Sequence, residues 1–150
     1  MIRIPGTMTD LPAVLIDKRP TSAANAWLGG DYLTAQVISP FQAIRVHVNA
    51  GEGAATQEHL ATGAGLVGRW FAVGDYVQTY DEYRLTHALP GGHFTHIAIC
   101  VFSSGTVFNV GRCSPIFNAV GGAEQVEFVS GPVPQLRPID ATWSRLAGHA

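Results

Sequence analysis

Two polar side chains that could take part in catalysis lie close together near the end of the sequence. Gln125 and Glu127 alternate with the apolar residues Val126 and Phe128 in the run 123–129, AEQVEFV. Alternate side chains of a strand share one face, so Val126 and Phe128 are predicted to enter the core while Gln125 and Glu127 emerge together on the other side. A carboxylate at this position can oppose a developing positive charge, and an amide can orient an attacking group.

The upstream runs indicate the strands that position this pair. Residues 94–102 (FTHIAICVF) and 106–112 (TVFNVGR) flank Ser103-Ser104-Gly105, which predicts a β-hairpin. Residues 66–73 (LVGRWFAV) indicate another strand, which carries Trp70 and Phe71. Either aromatic ring offers a flat face to a planar ligand.

An earlier strand is predicted at residues 42–48 (QAIRVHV). Its alternation places Ile44 and Val46 on one face and Arg45 and His47 on the other. A guanidinium grips a phosphate with paired donors, so Arg45 is a candidate anchor for an anionic ligand, and His47 shares its face.

Short helices are predicted between these strands. Thr21-Ser22 can cap a helix that runs through Leu28 and stops at Gly29-Gly30. Residues 51–63 have a helical centre, and Asp75 can cap a helix from Tyr76 to about Ala88.

The chain length and charge bound the class of protein. A sequence of 150 residues fits one domain, with residues 1–40 as an irregular N-terminal segment and 42–131 as the core of the site. The net charge of −2 and the nine basic residues provide no stripe for binding nucleic acid. Neither a membrane-spanning run nor a signal peptide is visible.

The sequence gives little support for a metal site or a disulfide. His93 and His96 begin a strand, where they would point to opposite faces, and they have no companion Cys pair. We therefore expect no metal. Cys100 and Cys113 are expected to be free, because the predicted hairpin register keeps them too far apart for a bridge.

The order of these elements resembles the ADP-ribosyltransferase toxin family, including the polymorphic toxin domains at the C-termini of large secreted bacterial proteins. The shared features are Arg45 on an early strand, the strand segment 68–72 and the late motif Gln125-x-Glu127. The segment 68–72 departs from the pattern, because it reads Trp-Phe-Ala where many of these transferases have Ser-Thr-Ser. The segments 111–117 (GRCSPIF) and 121–125 (GGAEQ) also resemble the NAD glycohydrolase toxins, in which a Gln is the catalytic residue.

The resemblance implies an α+β fold with split, mostly antiparallel sheets and a few short helices around an NAD cleft. It implies Glu127 and Gln125 as catalytic residues, with NAD held by Arg45, His47 and Trp70 or Phe71. Arg69 and Arg112 are alternative phosphate ligands. Glu124 is the alternative carboxylate, which would exchange roles with Glu127 if the strand register slipped by one residue.

Three functions remain open at this point. The first is a toxin-like mono-ADP-ribosyltransferase that cleaves NAD and modifies a macromolecular acceptor, and the second is an NAD glycohydrolase that uses water. The third is a non-catalytic β-rich binding or structural domain. The resemblance also implies delivery into a target cell as part of a larger secreted effector, and a cognate immunity protein as a partner.

Overall fold

The computed structural model describes residues 1–47, 70–73, 96–115, 121–136 and 144–145. The strands within these ranges are β1 (Ile2–Arg3), β2 (Asp10–Leu11), β3 (Ala13–Leu15), β4 (Trp27–Val37), β5 (Phe41–His47), β6 (Trp70–Val73), β7 (His96–Phe102), β8 (Val107–Cys113), β9 (Glu124–Ser130), β10 (Gln135–Leu136) and β11 (Ser144–Arg145). One 3-10 turn, Ala24–Ala26, is the only helical element in the same ranges.

A single nine-stranded sheet dominates the described structure. Its strand order is β10-β7-β5-β6-β9-β8-β4-β3, and β11 also pairs with β7. Every pairing in this sheet is antiparallel. β1 and β2 form a separate two-stranded ribbon. The segment 1–40, which the sequence indicated as irregular, thus supplies β1, β2, β3 and all of β4.

The predicted α+β fold with split sheets and helices around a cleft is wrong, because the described residues form a nearly all-β structure. The helix expected from Thr21-Ser22 to Leu28 is replaced by the 3-10 turn and the start of β4. Gly29 and Gly30 lie inside β4 with φ of 64° and 74°, where the register with β8 shifts, so they form a bulge. The helices predicted at 51–63 and 76–88 lie outside the described residues.

The prediction that β7 and β8 pair as a hairpin is also wrong. Gly105 does adopt a positive φ of 91°, as the turn signal requires, but β7 pairs with β5 while β8 pairs with β9 and β4. The two strands are in contact through side chains: the ring centroids of Phe102 and Phe108 lie 6.1 Å apart. The turn therefore connects two parts of a bent sheet that face each other across the core.

The apolar face of the sheet forms this core. Val126 and Phe128 of β9 are buried there, which confirms their predicted orientation. Phe102 packs at 5.0 Å against Phe71 of β6 and at 5.1 Å against Phe41 of β5, measured between ring centroids. Cys100 and Cys113 do not form a disulfide with each other, as predicted, and both are buried.

Candidate functional site

A row of polar side chains crosses the opposite face of the sheet. The register aligns Thr34 of β4 with Asn109 of β8, Asn109 with Glu127 of β9, and Glu127 with Trp70 of β6. A neighbouring row aligns Gly111 with Gln125 and Gln125 with Ala72. Gln125 and Glu127 therefore share one face, as their spacing predicts.

The two residues are buried on that face, whereas the sequence predicted that they emerge from it. Gln125 is 7% exposed and Glu127 is 2% exposed. The cover is the segment 21–27, which we call the cover segment. It leads into β4 and lies over the polar row, where it forms hydrogen bonds with Glu127 and Gln125.

The Glu127 carboxylate is fully engaged with protein donors. Oε1 accepts hydrogen bonds from Thr21 Oγ1 at 2.8 Å and Asn109 Nδ2 at 3.0 Å. Oε2 accepts from the Ser22 main-chain N at 2.8 Å and from the Ser22 hydroxyl. Asn109 Oδ1 in turn accepts from Thr34 Oγ1 at 2.6 Å. A buried carboxylate with this many donors is stable in its site and fastens the cover segment to the sheet.

Gln125 holds the other end of the cover segment. Its Nε2 donates to the Ala26 carbonyl oxygen at 3.0 Å. The same carbonyl accepts from the main-chain N of Ser114 at 2.9 Å, and the Ser114 hydroxyl donates to Asn25 O at 2.5 Å. Within the described residues, the Gln125 side-chain oxygen Oε1 accepts no hydrogen bond.

Trp27 is the largest side chain of the cover segment and is buried. Its Nε1 donates to Thr21 Oγ1 at 2.9 Å, which links the indole to the Glu127 network. Its ring stacks on Tyr32 at a centroid distance of 5.3 Å and meets Trp70 at 5.0 Å. Gly111 makes room for this ring, because a Cβ there would lie 2.8 Å from Trp27 Cε3.

The two aromatic candidates of β6 separate in the structure. Trp70 is half-buried beside Trp27 and belongs to the polar face with Glu127. Phe71 points the other way and is buried in the core against Phe102. The structure therefore brings Trp70, but not Phe71, to the face that carries Gln125.

Arg45 and His47 lie in β5, where their main chains pair with Ala98 and His96 of β7. Their side chains lie outside the described residues, and their part in ligand binding stays a prediction. The register aligns Ile44 with Ala72, and Ala72 with Gln125, so Ile44 of β5 occupies the same row across the sheet as Gln125. Arg69 also lies outside the described residues.

Glu124 does not join the Gln125–Glu127 face. Its Oε1 accepts a hydrogen bond from Thr9 Oγ1 at 2.5 Å, on the side of the β1–β2 ribbon. Arg112, its register partner on β8, donates from Nε to Gly122 O at 2.9 Å. In the described part of the chain, no group of three or more His, Cys, Asp or Glu side chains could hold a metal ion.

Sequence reasoning missed the partners that define the site, which are Thr21, Ser22, Trp27 and Asn109. Asn109 could have been identified from the sequence, because it is a polar residue between the apolar residues of the run VFNV. Thr21 and Ser22 were interpreted as a helix cap, and nothing local links them to a carboxylate more than 100 positions later.

The fold is similar to that of a chain in the solved structure of Tne2 in complex with Tni2. The TM-score is 0.61 and the sequence identity is 22%, and the similarity covers 81% of this chain and 98% of that chain. At this identity the likeness shows the fold. No protein-family model matches the sequence, and no curated protein sequence matches it. No helix in the described residues is long and apolar enough to cross a membrane.

Proposed function

We propose that this chain is a toxin domain that hydrolyses NAD to nicotinamide and ADP-ribose, with Gln125 as the residue that contacts the substrate. Tne2 and Tni2 form a toxin–immunity pair, and the shared fold supports a toxin-type role for this chain and a cognate immunity protein as its partner. The resemblance of residues 111–125 to NAD glycohydrolase toxins supports the reaction. Delivery into a target cell within a larger effector is part of the same proposal.

The observation that carries the proposal is the state of Gln125. The hydrogen bond from its Nε2 to Ala26 O fixes the amide, while Oε1 has no partner among the described residues. A fixed acceptor can hold a water molecule by one of its hydrogens and direct the lone pair of the water at a reacting carbon. Trp70, on the same face, offers an aromatic surface to nicotinamide.

The chemistry balances with water as the only co-substrate. The water oxygen forms a bond to the anomeric carbon of the ribose, and the bond from that carbon to the nicotinamide nitrogen breaks with its electron pair going to nicotinamide. The water proton passes to solvent. The transition state has oxocarbenium character, as in glycoside hydrolysis.

Hydrolysis is favoured over transfer of ADP-ribose by the state of Glu127. The sequence assigned that carboxylate to the reaction itself, but its oxygens accept hydrogen bonds from Thr21, Ser22 and Asn109. A buried carboxylate whose oxygens already accept these hydrogen bonds positions the residues around the site. NAD-dependent transfer to a macromolecule remains an outcome of the experiment.

The test is to incubate the full chain with NAD and to follow both free nicotinamide and labelled macromolecules. We expect nicotinamide and ADP-ribose without label, and a loss of at least about a hundredfold in Gln125→Ala, the scale of removing one preorganised polar group. Gln135→Ala is the matched control, because Gln135 is exposed and its amide also donates to a main-chain carbonyl, that of Val133, at 3.1 Å. Label on an acceptor would favour the transferase, and neither product would overturn both activities.

A further inference from the structure

One edge of the large sheet is open at β3. This strand is the last in the strand order, and among the described strands it pairs with β4 alone. The main-chain N of Ile16 donates to Thr34 O at 3.1 Å, so this peptide group is directed at β4. Peptide groups alternate along a strand, and those of Ala13, Leu15 and Asp17 are therefore directed outward, where they can pair with another strand.

Apolar side chains are exposed at this open edge. Val14 is 44% exposed and Leu15 is 60% exposed, and these neighbours lie on opposite faces of the strand. Proteins commonly protect a sheet edge with a lysine, a proline or a bulge, and β3 contains neither Lys nor Pro. An apolar edge of this kind is typical of an interaction surface.

A groove of about 440 Å³ runs along the outer side of β3. Leu15 and Leu33 line it from the sheet, while Met1 and Arg3 line it from β1. β1 pairs with β2, which directly precedes β3, and covers the outer side only up to that point. The edge is therefore open for pairing from Ala13 onward.

We propose that the occupant of this groove is a second copy of the chain, so that residues 13–17 of two copies pair about a twofold axis at Leu15. This axis aligns Leu15 with Leu15 of the second copy and Ala13 with Asp17 of the second copy. It makes the two strands antiparallel, which is the mode of every pairing described in this sheet. Both partners use only the stretch that β1 leaves open.

The edge is self-complementary in this register. The two Leu15 side chains meet on one face, and Val14 opposes Ile16 of the second copy on the other, so apolar side chains pair across the interface. Arg3 lines the Ala13 end of the groove, where the register brings Asp17 of the second copy. The symmetry repeats this pairing of opposite charges at the other end.

The proposal goes beyond NAD hydrolysis and does not depend on it. In the sheet, β4 and β8 separate β3 from β9, which carries Gln125. The pairing of two copies therefore joins their sheets at the edge that is remote from the Gln125 strand.

Sedimentation velocity over a concentration series tests the oligomeric state. We expect the parent chain to pass from monomer to dimer as the concentration rises. Leu15→Lys should need at least about tenfold more protein to dimerise, because two like charges would lie directly opposite each other at the axis. Met8→Lys is the matched control, since Met8 is also apolar and exposed but lies between β1 and β2 and does not line the groove. It should dimerise as the parent does.

Disulfide trapping tests the register and does not depend on the lysine variant. In Leu15→Cys the two Cα atoms would lie about 5.5 Å apart, within the reach of a disulfide. In Val14→Cys they would be diagonal neighbours about 7–8 Å apart, at or beyond the limit of about 7 Å. Leu15→Cys should therefore form a covalent dimer much faster than Val14→Cys. Cys100 and Cys113 are buried and are present in both variants.

A parent chain that stays monomeric at every concentration would overturn the proposal and leave the groove to a strand of another protein. Parent-like dimerisation of Leu15→Lys, or equal trapping of the two cysteine variants, would overturn this edge as the interface. Neither measurement uses NAD, so a failure here is distinct from a failure of the proposed hydrolysis.

Discussion

Glu127 accepts hydrogen bonds from both the main-chain amide and the hydroxyl of Ser22, a residue 105 positions earlier in the chain. Ser22 is exposed, whereas Glu127 is 2% exposed. The carboxylate therefore lies directly beneath the protein surface and is covered by Ser22. A charged group thus fastens the cover segment over the polar face. These hydrogen bonds give Glu127 a stabilising role in the fold. A catalytic role for Glu127 stays a prediction, and the proposed activity rests on Gln125.

Replacing Glu127 with Gln is expected to lower the free energy of unfolding by about 1–3 kcal/mol, the scale of one buried donor left without an acceptor. An amide has one oxygen, and whichever way it is turned its NH₂ group faces an N–H donor, that of Ser22 or of Asn109. Urea unfolding measures the change. Glu124→Gln is the control, because Glu124 accepts from the Thr9 hydroxyl, which can rotate and accept instead. Equal stability of parent and Glu127→Gln would contradict the clamp.

Gly111→Ala is expected to displace Trp27 and to destabilise the fold by about 1–3 kcal/mol, the usual range for overpacking. The added Cβ would lie 2.7 Å from Asp31 O and 2.8 Å from Trp27 Cε3. Near-UV circular dichroism should report the change in tryptophan packing. Gly29→Ala provides the contrast, because it has no atom within 4 Å of the Cβ position but a φ of +64°. It should cost about 1–2 kcal/mol through the backbone and leave the near-UV spectrum unchanged.

Burial raises the pKa of the Cys113 thiol from 9.0 to about 12. Between these values the unfolded chain loses its thiol proton while the folded chain keeps it, so the folded state binds more protons and stability falls as the pH rises. The Cys113 contribution to this fall is up to about 1.4 kcal/mol per pH unit. Urea unfolding at pH 8 and at pH 10.5 should show a smaller pH effect in Cys113→Ala than in the parent. The same pH effect in both proteins would rule out this contribution.

The local part of the structure was predictable and the pairing was not. Val126 and Phe128 enter the core because the two-residue period of a strand is written in neighbouring residues. Ser103–Gly105 signalled a turn, and Gly105 has the positive φ that this turn needs, yet the strands on either side find other partners. Which strands pair depends on the whole sheet, and a turn signal carries no information about that.

The site was predictable in the same limited sense. The spacing of Gln125 and Glu127 was enough to place both on one face. It could not show that Thr21, Ser22 and Asn109 satisfy the carboxylate, because those donors come from segments far apart in the sequence. Gly29-Gly30 was misleading for a physical reason: positive φ suits both a helix terminus and a strand bulge.

The order of strands in the sheet also determines when the Gln125 face can exist during synthesis of the chain. β4 needs β8 as its neighbour, and the cover segment needs the Glu127 carboxylate of β9. Both partners leave the ribosome long after the N-terminal residues that depend on them. A chain that is interrupted before Glu127 has the cover segment and Trp27 but no acceptor to hold them. The polar face is therefore assembled only after β9 has been synthesised, and unfolded chains must search for these distant pairings again each time they refold.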